Sequence, residues 1–306
     1  MKPVGPSGFG ASSTTEEVTG GLSLEGRTIL LTGCTSGLGR EALRVLTLRG
    51  ARVLGTARTL EGARAACAGV AGLAEPLACE LSDPASVRAC VAAVRGMGRP
   101  LDAVICNAGI MALPRLQLAH GYELQFFTNH IGHFMLVTGL VDRLAERGRV
   151  VMLSSVAHRV APGEGIDFAN LDGARGYSPW RSYGRAKLAN LLFAKELARR
   201  FAGTSRTANA AHPGIISTGL ARNNPLAAAF YVLTRPLVQK SIPQGAATEV
   251  YVAVHPAAAG LSGQYFADVN VARPSRHAED PALAARLWKV SEQIVASLPG
   301  GPAPVR

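Results

Sequence analysis

Tyr183 and Lys187 stand one helical turn apart, after Ser155 and a glycine turn made by Gly33, Gly37 and Gly39. A phenol is a poor proton carrier at neutral pH, because its reference pKa is about 10. An ammonium beside it favours the phenolate and lowers that value. A serine hydroxyl can hold a substrate oxygen while the phenol moves the proton. A glycine turn can hold the dinucleotide that carries a hydride. Brought together, such parts would exchange a hydride and a proton between a nicotinamide cofactor and a carbonyl or alcohol. The Tyr–Lys spacing alone more often marks a solvated helix face. Its weight here comes from its place, one element after the serine.

The elements that must position these groups alternate along the chain. Short apolar strands are expected at Arg27–Thr32, Ala51–Thr56, Glu75–Cys79, Leu101–Cys106, Arg149–Leu153 and Thr207–Ala211, with a seventh near Gly263–Phe266. Helices are expected between them: over Leu38–Arg49, then to about Ala71, from Asp83-Pro84 to about Arg95, over roughly Tyr122–Arg147, and at about 181–201 and 244–254. A last helix is expected at about 281–296. Such alternation implies parallel strands with right-handed crossovers, and strands apolar on both faces imply helices on both sides. The expected fold is α/β, a single-domain doubly wound parallel sheet over residues 26–298, with a loose tail at 299–306. Residues 1–25 read as an N-terminal arm, packed on the surface or partly mobile, in which Ser13-Thr14-Thr15-Glu16 matches a capping box. The segment about 217–243 has no clean period and contains Phe230, Tyr231 and Leu233; it reads as an apolar lid over the substrate, or as a patch packed on the body or a second subunit.

Thr32-Gly33-Cys34-Thr35-Ser36-Gly37-Leu38-Gly39 follows a strand and opens a helix. Glycines let the backbone approach a pyrophosphate, and the helix N-terminus offers free N–H groups. The end of the second strand, Thr56-Ala57-Arg58, has no acidic residue for a ribose 2′-hydroxyl. Arg58 could pair with a 2′-phosphate instead, which favours NADP over NAD; a solvated surface arginine is the alternative.

With these motifs the chain resembles the short-chain dehydrogenase/reductase family, in its retinol-dehydrogenase-like and WW-domain-oxidoreductase-like branch. The further markers are Cys106-Asn107-Ala108-Gly109, Gly121 to Gln125 leading to Thr128-Asn129-His130-Ile131-Gly132-His133, Ser154-Ser155-Val156-Ala157-His158, Tyr183-x-x-x-Lys187-Leu188-Ala189-Asn190, and His212-Pro213-Gly214 with Thr218. The resemblance covers about residues 12–270. It implies a Rossmann fold and a catalytic set of Asn129, Ser155, Tyr183 and Lys187, with Asn129 supporting a water that relays the proton. It also implies cofactor contacts from Thr35, Ser36 and Leu38 in the glycine turn, from Glu80 and Leu81 near the adenine, and from Asn107, Ala108 and Gly109. Tyr183 and Lys187 would reach the nicotinamide ribose, and Pro213, Gly214, Ile216 and Thr218 the carboxamide or pyrophosphate. Two positions depart from the family pattern. Cys106 stands where Asn is common, and Glu80 is one methylene longer than the usual Asp. The choice of Ser155 over Ser154 rests on the family pattern, since only one of two successive strand residues can face the site. The stretch Ala161–Tyr177, with Asp167, Asn170 and Asp172, lengthens the Ser–Tyr gap and is expected to border the substrate pocket. Homodimers or homotetramers through helices near 122–147 and 181–201 are implied, with monomers known in the branch.

The bulk numbers agree with this. A 306-residue chain is ample for one large core, and a hydrophobic fraction of 48% against 17% charged residues is that of a globular protein. No apolar run is long enough to span a membrane, and no signal-peptide pattern opens the chain. Five cysteines without a Cys-x-x-Cys pair read as reduced, buried thiols, so a cytoplasmic location is expected. The net charge of +11 is scattered rather than clustered, which argues against nucleic acid. No metal is expected: His130, His133 and His158 lack ligand spacing. The reading is an NADP-dependent carbonyl/alcohol oxidoreductase acting on a bulky, mostly apolar small molecule. A carbon–carbon double-bond reductase would dispense with Ser155, and a non-catalytic NADP sensor would have no use for all four catalytic residues.

Overall fold

The computed structural model describes residues 5–161, 163–216 and 240–300. Most of the expected lid, and Thr218 with it, lies outside the described residues.

Seven strands pair in parallel: β1 (Thr28–Thr32), β2 (Arg52–Ala57), β3 (Ala74–Ala78), β4 (Leu101–Cys106), β7 (Leu144–Leu153), β8 (Thr207–His212) and β9 (Tyr265–Ala267). Their spatial order is β3-β2-β1-β4-β7-β8-β9, and β10 (Asn270–Val271) closes the last edge antiparallel to β9. The order reverses between β1 and β4, so their carboxyl ends form the crevice where doubly wound sheets bind ligands. The inner strands are largely buried, apart from the start of β7, where Glu146 and Arg147 are exposed; β3 and the outer edge are less buried, as a sheet covered on both faces allows. One apolar layer lies under α2 (Gly37–Leu48) and α8 (Ile242–Val254). The other lies under α4 (Pro84–Gly96), α6 (Gly132–Thr138), α7 (Pro179–Arg200) and α9 (Pro281–Ser297). The small α3 (Leu60–Ala68) connects β2 to β3.

The largest departure from expectation is at 122–153. Instead of one helix over 122–147, Tyr122–Glu123 (β6) pairs with Leu118–Ala119 (β5) in a hairpin. His120 and Gly121 both have positive φ there, 52° and 82°, as a two-residue type I′ turn demands. The helix then runs through Leu124–Phe126 (α5), a π-turn at Phe127–Ile131 and α6, and stops at Gly139. Distant arginines hold the stop. Arg95 donates to Gly139 O and to Asp142, and Arg206 donates to the carbonyls of Leu144 and Ala145. β7 begins earlier than the expected 149, with a register break against β4 between Leu101 and Ala103.

The arm also differs. Its capping box is Thr14 with Glu17, one residue later than expected, because Ser13 Oγ accepts from Gly10 N instead. It opens α1 (Thr15–Val18), whose Thr15 and Val18 are buried. Thr15 donates to Glu41 on α2, and the Phe9 ring packs edge-on against Tyr251 and His255 of α8. Through these residues the arm is part of the body.

The helices that would meet a second subunit are partly covered within the chain. Trp288 of α9 stacks on Phe193 of α7 at 5.4 Å, and Ser291 meets His130 Nε2 at 2.9 Å.

Candidate active site

The carboxyl ends of β1, β2, β4 and β7 bring the expected residues to one edge. Thr32 pairs with Thr56, and the N–H groups of Gly33 and Cys34 both donate to Thr56 O. That anchors the glycine turn to β2 and puts Arg58 beside it. Gly33 and Gly37 have φ of 74° and 57°, which a side chain would strain. Asn107 donates through Nδ2 to the carbonyls of Thr32 and Gly33, so the β4 turn holds the β1 turn.

Gly39 is where close approach matters most. A Cβ there would collide with Gly33 O and lie 2.5 Å from Asn107 Nδ2. Both obstacles are fixed by hydrogen bonds. Gly39→Ala should therefore raise the Kd for NADPH by at least about ten-fold and lower Tm by several degrees, since overpacking costs roughly 1–3 kcal/mol. Binding and melting unchanged in that variant would contradict this packing.

The turn suits an anionic dinucleotide. Ser36 caps α2 with extended backbone but makes no side-chain cap bond, and Thr35 and Ser36 are exposed, so a ligand can approach the helix N-terminus from their side. Arg58 is exposed and makes no ion pair among the described residues. Glu80 lies at the end of β3, but its carboxylate accepts from Ser82 N and Ser82 Oγ at 3.0 and 2.8 Å. The longer side chain is thus engaged by its own turn. Leu81 is buried, with its carbonyl against Gly132.

On the catalytic side the two serines diverge. Ser154 is buried and donates to Lys187 O at 2.8 Å. Ser155 is part-exposed, caps a short 3₁₀ turn by accepting from Ala157 N, and is the one available to a substrate. Asn129 sits in the π-turn and clamps the chain after Gly109: Oδ1 accepts from Ile110 N at 2.8 Å, and Nδ2 donates to Ile110 O at 2.9 Å. Lys187 Nζ donates to Leu153 O at 3.0 Å and lies 5.6 Å from the Tyr183 ring centre. A Cβ on Gly109 would be 3.0 Å from Asn129 Oδ1 and 3.6 Å from Lys187 Nζ, so these three residues share one small space. Tyr183 packs against Met111, Ala112 and Ala157, with Trp180 edge-on at 6.2 Å.

Around Tyr183 the rim is apolar. Val156, Val160 and Trp180 are exposed, and Leu116 and Leu118 are exposed on the β5–β6 hairpin side. The polar residues of 161–177 are turned inward on their own loop. Asp167 and Asp172 accept from Ala169 N and Ala174 N, and Asn170 bonds Arg175. Tyr177 donates to Leu113 O, which ties that loop to the chain below Met111.

At β8, Gly214 has φ 90° and its N–H faces His212 Nδ1. Burial and the Lys240 charge hold His212 down at about 4, so its ring is neutral and structural. Pro213 follows it in the turn. Ile216 pairs with Lys240 across an isolated bridge, and Lys240 lies over Gly214 with its ammonium 2.5 Å from Asp268.

Two site residues escaped the sequence reading. Lys240 is one. The other is Glu249 on α8, fully buried, with neither carboxylate oxygen hydrogen-bonded among the described residues. Burial pushes its carboxyl up to about 8, against the pull of Lys187; burial likewise pushes Lys187 down to about 8, against the pull of Glu249. A lone carboxylate within the apolar run 245–254 was its only sequence signal. Because its folded pKa exceeds the unfolded value of about 4.3, Glu249 costs nothing below that pH and increasingly more as pH rises through the folded value. Glu249→Gln should match the wild type at pH 4.5 and be more stable at pH 8, by on the order of a few kcal/mol. Urea melts of both proteins at the two pH values measure this; parallel pH profiles would count against it.

The family model of short chain dehydrogenases matches residues 27–228. This chain belongs to the short-chain dehydrogenase/reductase family. The short-chain dehydrogenase TIC 32 B, chloroplastic, of Brassica napus is 40% identical over 96% of this chain and 97% of its own length. Mouse retinol dehydrogenase 12 is 37% identical over 90% of this chain and 89% of its own, in agreement with the retinol-dehydrogenase-like branch. A crystal structure of a putative uncharacterized protein from Mycobacterium paratuberculosis superposes with a TM-score of 0.73 at 34% identity, over 90% of this chain and 96% of that one. The enzyme has an oxidoreductase's family and fold. Among the described residues no helix is long and apolar enough to cross a membrane, and no three His, Cys, Asp or Glu side chains group as metal ligands.

Proposed function

We propose that this protein is an NADP(H)-dependent oxidoreductase that interconverts a carbonyl and an alcohol on a bulky, apolar small molecule. The observation that carries this is the convergence of Ser155, Tyr183 and buried Lys187 at the carboxyl edge of the sheet, beside a glycine turn that opens α2. The nicotinamide, when bound, supplies or takes the hydride. Ser155 Oγ and the Tyr183 hydroxyl hold the substrate oxygen, and Tyr183 gives its proton to that oxygen in reduction or takes it in oxidation. Lys187 stabilises the phenolate that results. Asn129, beside Lys187 and Gly109, supports the water that returns the proton.

Arg58 supports NADP over NAD, as an exposed cation just past β2 with no ion pair among the described residues. The rim of Val156, Val160 and Trp180 supports an apolar substrate, as does the name of the retinol dehydrogenase relative. Five free, buried thiols suit a reducing compartment such as the cytoplasm.

The test is consumption of NADPH and NADH with a panel of aldehydes, ketones and quinones of graded hydrophobicity. Turnover with NADPH that rises with substrate hydrophobicity is expected. Tight NADPH binding without turnover on any carbonyl would overturn the assignment of the reaction, and a preference for NADH the assignment of the cofactor.

A further inference from the structure

His133 belongs to neither half of the site, yet it joins them. Its ring is fully buried on α6, one turn beyond Asn129. Nδ1 lies 2.9 Å from Asn129 O, and Nε2 lies 2.9 Å from Thr32 Oγ1. Thr32 is the last residue of β1, directly before Gly33. Its Oγ1 also accepts from Ala108 N at 3.0 Å. One imidazole therefore links the glycine turn, the β4 turn and the π-turn that carries Asn129.

The proton positions follow by elimination. Asn129 O is a carbonyl and can only accept, so the ring proton is on Nδ1. Burial keeps the ring neutral, with its pKa down at about 4, opposed by the bond to the Asn129 backbone and aided by the Lys187 charge. A neutral imidazole has one N–H, so Nε2 must accept, and the single Thr32 hydroxyl proton goes to it at 2.9 Å rather than to Ile105 O at 3.4 Å. The chain then runs Ala108 N–H to Thr32 Oγ1, Thr32 O–H to His133 Nε2, and His133 Nδ1–H to Asn129 O. No member is left without a partner, which is the condition for a buried polar network to fix geometry. The π-turn makes room for it. Gly132 N–H reaches back five residues to Phe127 O, so the helix is widened at Asn129.

We propose that His133 is a positioning residue with two separable duties. Its Nδ1–H fixes the Asn129 carbonyl on the proton-handling side, and its Nε2 fixes Thr32 beneath the dinucleotide turn. The first duty rests on the function proposed above; the second requires only that the turn binds the dinucleotide.

Two substitutions separate the duties. Asn places an amide N–H where Nδ1 was and loses the acceptor for Thr32. Gln places an amide oxygen where Nε2 was and loses the donor to Asn129. His133→Asn should keep kcat within about two-fold and raise the Kd for NADPH about five- to ten-fold. His133→Gln should do the reverse, keeping Kd within about two-fold and lowering kcat about ten-fold. Kd is read from NADPH fluorescence without substrate, kcat at saturating NADPH, and Tm from calorimetry. A purely structural role would lower both parameters together in both variants, in step with Tm, and that pattern would overturn the proposal. Should neither variant fold, Thr32→Val and Thr32→Ser carry the test at the other end. Val should raise Kd with kcat at saturation unchanged, and Ser should restore Kd; no change with Val would overturn the second duty. A wild-type protein that binds NADPH but reduces no carbonyl would sink the proposed function and the first duty with it, while the Kd pattern would still decide the second.

Discussion

Tyr183→Phe should bind NADPH as the wild type does and lose kcat by about 10²–10⁴-fold, the usual span for removing a positioned acid–base group. The substitution takes away one oxygen and little else. The ring keeps its contacts with Met111, Ala112, Ala157 and Trp180, and Lys187 keeps its bond to Leu153 O. The fold should persist, because these ring contacts and the Lys187 bond remain. Single-turnover reduction with pre-bound NADPH is the decisive measurement. A variant within ten-fold of wild type would mean that another group supplies the proton, and the role given to Tyr183 would fall. Ser155→Ala adds a second discrimination: a double-bond reductase would tolerate it, whereas carbonyl reduction needs the Ser155 hydroxyl on the substrate oxygen.

Arg58→Ala should lower kcat/KM for NADPH by about 10–100-fold and leave the value for NADH nearly unchanged. That range corresponds to the loss of a charge-assisted hydrogen bond, about 1.5–3 kcal/mol. Arg58 is exposed beyond the last paired residue of β2, and Cys79 N donates to Ala57 O just before it. The strand end is therefore held without the arginine, and the effect should fall on the 2′-phosphate alone. Equal losses with both nucleotides would show that Arg58 serves the turn rather than the phosphate.

The parts of this site that were legible in the sequence are the local ones. The glycine turn, the Tyr183–Lys187 pair and the alternation of strands and helices depend on spacing within a few residues. The choice of Ser155 over Ser154 comes from the family pattern instead; both lie just past Leu153, where β7 ends. The parts that were illegible depend on distant partners. The break after Thr138 is held by Arg95 and Arg206, which are far away in the chain. Glu249 looks like an ordinary helix residue until the fold buries it near Lys187. His133 reads as a helix histidine because Thr32, the partner that ties it to the glycine turn, lies 101 residues away in the chain.

The arm has a consequence for the order in which the chain can fold during synthesis. Ser7 N donates to Asn270 Oδ1, a contact across 263 residues, and Phe9 rests on Tyr251 and His255. Thr15 can meet Glu41 on α2 early, but Ser7 and Phe9 find their partners only after about 240–260 more residues are made, roughly 10–50 s later at ordinary elongation rates. Until then the Tyr251 ring lacks Phe9, and the segment ahead of α1 is open to proteases. A nascent chain stalled before residue 240 should therefore be cut ahead of α1, where Ser7 and Phe9 have no seat, while its first four strands are already protected.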